Sequence, residues 1–394
     1  MRAPLPPADL ADLGLCPIRM RHLVGVFQAD VDRGRLPGAV LVVARHGRIA
    51  LMESVGKLDP ARDVPMALDA VFRIYSMTKP IVSVAVMKLV EQGRLKLADP
   101  VHLHLSEFAN QQVAVQTPDG TTLRPVQRAA TVQDLLRHTA GLTYEFLGDS
   151  SVQQMYRRES MGSRARSNAE FSQTLAALPL MFEPGSVWAY SRATDVLGRL
   201  IEVITGQPLA EHLQQAILAP LGMNDTAFVV PEADHPRIAE AFVHDPDGGI
   251  PMRLIDPRET PALHSGGGGL MSTAADYARF LQFMLNKGEL GGVRLLGPRT
   301  VDFMTADHLG TIPGDPSRLP PGHGFGLGFA VRTAAGLAPM PGSVGTFHWS
   351  GIGGTSFFVD PAEQLFGIFL AQAPNQREHY RAIFRTLAYA ALVD

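Results

Sequence analysis

Ser76 and Lys79 lie three residues apart in Val71-Phe72-Arg73-Ile74-Tyr75-Ser76-Met77-Thr78-Lys79-Pro80-Ile81-Val82. The segment opens a helix that runs to Gly93, so the two side chains share one face. Pro80 fits the first turn, where backbone N–H groups have no intrahelical partner. A serine hydroxyl is a weak nucleophile and needs a base beside it. A lysine serves when burial and the positive end of a helix disfavour its ammonium form. The same helix end favours an oxyanion near Ser76. The plain alternative is a serine cap followed by a surface lysine. Against it, the chain has only five lysines (Lys57, Lys79, Lys88, Lys96 and Lys287), and the neighbours of Lys79 are apolar. Ser54-Val55-Gly56-Lys57 has the same spacing but follows a hairpin strand, where residues three apart face opposite sides. It reads as accidental, so the spacing alone is a weak signal.

The chain around this pair has 394 residues, 46% apolar and 19% charged, with a net charge of −3. That suits two structural domains, or one domain with a large insertion. The composition is that of a soluble globular protein, and its balanced charge argues against nucleic acid as a partner. No apolar run reaches the ~18–20 residues of a membrane span. Cys16 is the sole cysteine, which excludes an intramolecular disulfide and a multi-cysteine metal site. Residues 1–20 carry no secretory signal, because Asp9, Asp12 and several prolines interrupt any apolar run. Leu13-Gly14-Leu15-Cys16 is only faintly like a lipoprotein cleavage site. A cytoplasmic chain with a short mobile leader is expected.

Residues 18–33 pattern as an amphipathic helix ended by Gly34. Residues 38–44 and 49–52 form a β-hairpin about His46-Gly47. At the far end, residues 355–359 and 365–371 flank a turn at Asp360-Pro361, and a last helix covers 377–393. Helical stretches fall between, at 81–91, 132–137, 171–178, 194–204 and 209–218. One sheet assembled from both termini, with a mostly helical insertion, follows from this order. Residues 310–324 read as a surface loop.

Ser76-Met77-Thr78-Lys79-Pro80 resembles the first motif of serine β-lactamases and penicillin-binding proteins. Residues 134–142, 220–226, Gly266-Gly267-Gly268-Gly269-Leu270-Met271-Ser272-Thr273 and 324–329 resemble the class C branch in the same order. The resemblance spans roughly residues 20–394 and is nearest to the family VIII carboxylesterases and related acyltransferases. It implies an α+β, β-lactamase-like fold: an antiparallel sheet from both termini flanked by helices, with an inserted, mostly helical domain. The expected division is a leader at 1–17, a discontinuous sheet domain at 18–75 and 262–394, and a helical domain at 76–261.

The resemblance also implies a second motif, matched by Tyr190-Ser191-Arg192, with Tyr190 beside Ser76 and Lys79 as a proton carrier. Taken alone, Tyr190 would read as a buried aromatic with a bonded hydroxyl. Arg192 stands where β-lactamases have Asn, which weakens the case for β-lactam turnover. The third motif corresponds to Trp349-Ser350-Gly351, with Trp349 at the position of the family's cation. A lysine there would pair with a carboxylate, whereas Trp offers an apolar face and one N–H. A neutral acyl group is therefore expected, with the backbone N–H groups of Ser76 and Ile352 as oxyanion donors. Taken plainly, this stretch is an edge strand and turn.

His102-Leu103-His104 reads as a surface strand or loop, and His138 and His264 as structural. The run 266–269 lets backbone approach the cleft. No Gly-x-Ser-x-Gly, His-Glu-x-x-His or phosphate-binding loop occurs. The expectation is a serine carboxylesterase acting on small uncharged esters, with no cofactor or metal and no nucleic-acid or membrane partner. A β-lactamase or D-amino peptidase, an acyltransferase and a non-catalytic scaffold are its rivals. The oligomeric state is open.

Overall fold

The computed structural model describes residues 4–118, 120–249 and 252–393. Residues 1–3, 119, 250–251 and 394, which fall within the ranges expected above, lie outside the described residues. An eight-stranded antiparallel sheet is built from β1 (Gly38–Arg45), β2 (Arg48–Asp59), β3 (Val64–Pro65), β4 (His323–Phe325), β5 (Ala330–Arg332), β6 (Phe347–Ser350), β7 (Ser356–Asp360) and β8 (Leu365–Ala371). Their order across the sheet is β4-β5-β6-β7-β8-β1-β2-β3. The two chain ends meet where β1 pairs β8, with Leu41 opposite Phe369.

β1 is buried along its whole length, because both faces of the sheet are covered. Ala39, Leu41 and Val43 enter one core with Phe27 and Phe384. Val40, Val42 and Ala44 enter the other with Met77 and Ile81. The first core is closed by α1 (Pro17–Asp32) and by the last helix, Arg377–Ala390; Phe27 lies 5.2 Å from Phe369, ring to ring. The second is built on α2 (Thr78–Glu91), α3 (Ala193–Thr205) and α4 (Ala274–Leu285). We number the last helix α5. α2 is apolar nearly all round, which suits a helix enclosed by others. The β-lactamase-like α+β architecture expected from the motifs is present. Among the described residues, no helix is long and apolar enough to cross a membrane.

Some expectations need correction. Residues 4–15 are not a free leader. Leu13 and Leu15 are buried under α1 and α5, and the Cys16 N–H donates to Ala391 O at 2.8 Å. The apolar positions of this segment cover sheet-domain surface that would otherwise meet water. β6 is an inner strand between β5 and β7, not an edge. The strands outside it, β5 and then β4, are only three residues each, too short to carry a periodic signal. His102 lies in a short helical turn, Val101–Leu103, rather than a strand, and His104 pairs with Asp99 at 3.1 Å.

The turn at 131–139 holds the second motif in place. Thr131 and Asp134 cap each other across a short helix, and fully buried Asp134 also binds Arg128, Arg137 and Thr139. The His138 and Thr139 carbonyls then accept from the N–H groups of Ala189 and Gly185. Burial would raise the Asp134 carboxyl, but Arg128, Thr131 and Thr139 overrule it and hold it down at about 2. Its contribution to stability is therefore complete above its ordinary value of 3.8 and lost as pH falls through about 2. Asp134→Asn should cost about 3 kcal/mol, because it removes a fully buried charge on which Arg128, Arg137, Thr131 and Thr139 all converge. Urea unfolding at pH 7 should show that gap, and it should narrow between pH 4 and pH 2, where the wild type loses the same charge.

Candidate active site

Residues Phe72–Arg73 pair with Met271–Ser272, and the chain then tightens into the 3₁₀ turn Tyr75–Met77 before α2 begins. Tyr75 sits in the left-handed region at φ +44°, fixed by its hydroxyl accepting the Ile255 N–H at 2.9 Å. This turn lifts Ser76 to the mouth of α2 and leaves Lys79 one turn inside, 1% exposed. Lys79 Nζ donates to Ser76 Oγ at 3.2 Å, Tyr144 OH at 3.0 Å and Gly267 O at 2.6 Å. Three oxygens from separate parts of the chain thus converge on one nitrogen. Tyr190 OH lies 2.6 Å from Ser76 Oγ, and its ring centroid is 4.5 Å from Lys79 Nζ. The geometry brings Ser76, Lys79 and Tyr190 into one cluster.

Tyr190 is held by aromatic neighbours. The His138, Tyr144 and Trp349 rings lie 5.0, 5.2 and 5.2 Å away. Burial first, and then the Lys79 charge, hold the His138 imidazole well below the usual histidine range. It is a neutral wedge, with Nδ1 3.2 Å from Ser191 Oγ. Trp349 Nε1 points to Tyr190 OH at 3.4 Å.

The run 266–269 does bring backbone to the cleft. A Cβ on Gly266 would stand 2.4 Å from Thr194 O, so only glycine lets Gly267 O reach Lys79. Asp195 fixes the run by accepting from Gly267 N at 2.9 Å and from Ser265 Oγ. Gly351 answers the same need at the end of β6, where a Cβ would meet Ile74 O at 2.5 Å. Beyond it, the Ile352 N–H has no partner among the described residues and lines the cleft together with Ser76. Trp349, Ser350 and Gly351 line it too. The cleft has a volume of about 330 Å³.

Tyr144 escaped the sequence reading. It lies two residues past the 134–142 segment, and its position against Lys79 depends on three separate elements. Burial, followed by the charges of Tyr190 and Asp195, pushes its phenol well above the usual range, so it stays protonated. Arg192 lies 4.8 Å from the Tyr144 ring and pairs with Glu145 and Asp195, which ties its charge to the wall of the cleft. The other candidates fall elsewhere. Ser54 Oγ donates to Met66 O and Lys57 pairs with Asp63, so that pair does not meet. The His264 ring packs on Phe228, and Cys16 stands just before α1 without a side-chain capping bond.

This junction of an antiparallel sheet and a helical layer, with serine, lysine and tyrosine at the seam, is the architecture of the serine-dependent β-lactamase fold. Residues 23–390 match the beta-lactamase family, and the chain belongs to it as a serine hydrolase. Protein Rv1367c of Mycobacterium tuberculosis (strain ATCC 25618 / H37Rv) is 36% identical over 355 residues, covering 86% of this chain and 87% of that protein. Esterase EstB of Burkholderia gladioli is 37% identical over 372 residues, 89% of each. The solved structure of EstCE1, a hydrolase with promiscuous acyltransferase activity, superposes with a TM-score of 0.79 at 29% identity, covering 94% of this chain and 98% of that one.

Proposed function

We propose that the chain hydrolyses carboxylic esters with small, uncharged acyl groups through an acyl-enzyme on Ser76. One observation carries the reading: Ser76 Oγ lies within hydrogen-bond reach of both Lys79 Nζ and Tyr190 OH. In the forward step Ser76 Oγ attacks the ester carbonyl as its proton passes to the Lys79–Tyr190 pair. The N–H groups of Ser76 and Ile352 hold the resulting oxyanion. Collapse breaks the acyl–oxygen bond, and the departing alkoxide takes the proton back from the pair. Water then repeats the sequence in reverse roles and releases the acid. Lys79 and Tyr190 act as one coupled unit, so the proton belongs to the pair.

Trp349 supports the neutral acyl group. It puts an indole where a cation would meet a carboxylate, and its N–H faces Tyr190. The similarity to an esterase, EstB, agrees with hydrolysis. Transfer of the acyl group to an alcohol is a second reading, favoured by the similarity to EstCE1. A small-molecule ester is the only partner the proposal needs, and a cytoplasmic location, argued from sequence, is part of it. The test compares kcat/KM for p-nitrophenyl acetate and nitrocefin. The ester should be favoured at least about a hundredfold, the scale of one lost charge-assisted contact of ~2–3 kcal/mol. Faster nitrocefin turnover would overturn the substrate class in favour of a β-lactamase. Added alcohol that diverts most of the acyl group would favour the transferase.

A further inference from the structure

Behind Trp349 the cleft meets the first turns of α5, and the polar groups there are incompletely satisfied. His348 shares the α5-facing side of the sheet with its cross-strand partner Phe358, which packs on Phe384 and Tyr389 of that helix. The His323 ring stands 5.1 Å from the His348 ring, edge to face. From the helix, Arg385 Cζ stands 5.6 Å from the Phe358 ring, and Arg381 reaches Ser350 at the end of the strand that carries His348.

Four buried nitrogens here have no hydrogen-bond partner among the described residues: His323 Nε2, His348 Nε2, Arg381 Nε and Arg385 Nη2. Buried polar atoms are satisfied in the great majority of cases, so four in one layer mark a place built for something else. The two guanidinium nitrogens restrict what that is. A guanidinium N–H can only donate, so its partner must be an acceptor.

Charge points the same way. Arg332 and Arg385 are 3% exposed, and Arg332 donates only to the carbonyls of Ala334, Ala335 and Met340. Arg385 Nε donates to Pro341 O. The nearby carboxylates are committed. Asp360 accepts from Ser343 N, Thr346 Oγ1 and Tyr389 OH, and Glu378 pairs with Arg377 and Arg381. Buried Arg332 and Arg385 thus share one buried carboxylate, Asp360, while Arg381, 30% exposed, is paired with Glu378 nearer the surface; an anion with several acceptor oxygens would satisfy the donors left over. It is continuous with the site, because His348, Arg381 and Met340 line the cleft that holds Ser76. Arg381 Nη1 also donates to Ser350 Oγ at 2.8 Å, which couples the layer to the third motif.

We infer that the cleft ends in an oxyanion-binding subsite formed by His348, Arg381 and Arg385, which takes a carboxylate-class group. That group is either part of the substrate, outside its acyl portion, or a free inorganic oxyanion. The substrate version rests on the ester-hydrolase reading above, whereas binding of the anion itself does not.

The test has two arms on the full chain. In the first, acetate and inorganic phosphate are titrated against thermal unfolding, with sodium chloride at equal ionic strength as the control. The wild type should show a saturable rise in Tm with an oxyanion, at least tenfold weaker in Arg385→Gln. Arg381→Gln is the second variant should the first not fold. In the second arm, kcat/KM is compared for phenyl acetate and 4-acetoxybenzoate, which differ by a carboxylate on the leaving group. A substrate carboxylate in the subsite should favour 4-acetoxybenzoate at least fivefold, with the ratio falling to near one in either variant. A saturable Tm effect with a ratio near one assigns the subsite to a free anion. Saturable binding without turnover of either ester upholds the subsite and removes the ester reading. No saturable effect of either anion, together with a ratio near one, overturns the inference.

Discussion

Ser76→Ala should abolish ester turnover in a protein that keeps its fold. Ser76 is the hydroxyl on which both Lys79 and Tyr190 converge. Without it there is no atom to carry the acyl group, and the loss should be about 10⁴-fold or more in kcat, because nucleophile and base act as a unit. The fold should survive, since Ser76 is half-buried at the start of a helix whose turn is held by other groups. Tyr277 OH donates to Met77 O, and the Leu270 N–H donates to Thr78 Oγ1. Ser54→Ala is the matched control. Ser54 lies on β2 and bonds Met66 O, so its loss should leave kcat/KM within about twofold, as for most substitutions at partly exposed sites. Turnover of p-nitrophenyl acetate, intact-mass detection of the acyl-enzyme and circular dichroism decide the matter. Retention of more than a trace of hydrolysis by pure, folded Ser76→Ala would remove Ser76 as nucleophile.

The parts of this site that were legible before the fold was known are those whose signal is local. Ser76 and Lys79 sit one helical turn apart, and the glycines at 266–269 and 351 mark places where backbone must pass close to backbone. The pairing of the two chain ends was legible because β1 up to Arg45, and β8 throughout, carry no polar side chain, as suits strands covered on both faces. What stayed hidden depends on long-range contact. The strand β2 runs to Asp59, well past the apolar run that announced it, because Glu53, Ser54, Gly56 and Lys57 break the apolar pattern between buried Val55 and Leu58 and the first half of the strand. The hairpin at 112–125 lies among helices and exposes most of its second strand, so its alternation carries little hydrophobic contrast. Tyr144 has no motif of its own; packing against Lys79, Tyr190 and Arg192 gives it a place in the site. The α5 arginines were legible as part of a helix, but not as the wall of a cleft built on β6.

Lys79→Arg should be nearly as damaging as Lys79→Ala, which separates a proton-transferring lysine from a merely positive one. Arginine keeps the charge and approximately the reach, but its guanidinium is not deprotonated at any pH at which enzymes operate. It is also planar, whereas Lys79 Nζ serves three acceptors on different elements: Ser76 Oγ, Tyr144 OH and Gly267 O. A loss of about 10²–10⁴ in acylation rate is expected from removal of the base alone. Packing offers a rival explanation, since Lys79 is buried and arginine is bulkier. Lys79→Ala answers it. The alanine leaves space beside Ser76, and small primary amines added to that variant should restore part of its activity by supplying the missing base. The same amines should do nothing for Lys79→Arg, whose site is filled by a group that holds its proton. The measurement is acylation rate for the wild type and both variants, with and without added amine, and folding checked by circular dichroism. A folded Lys79→Arg enzyme within a few-fold of wild type would make Lys79 a positioning charge, and the base would then have to be Tyr190 or a water molecule.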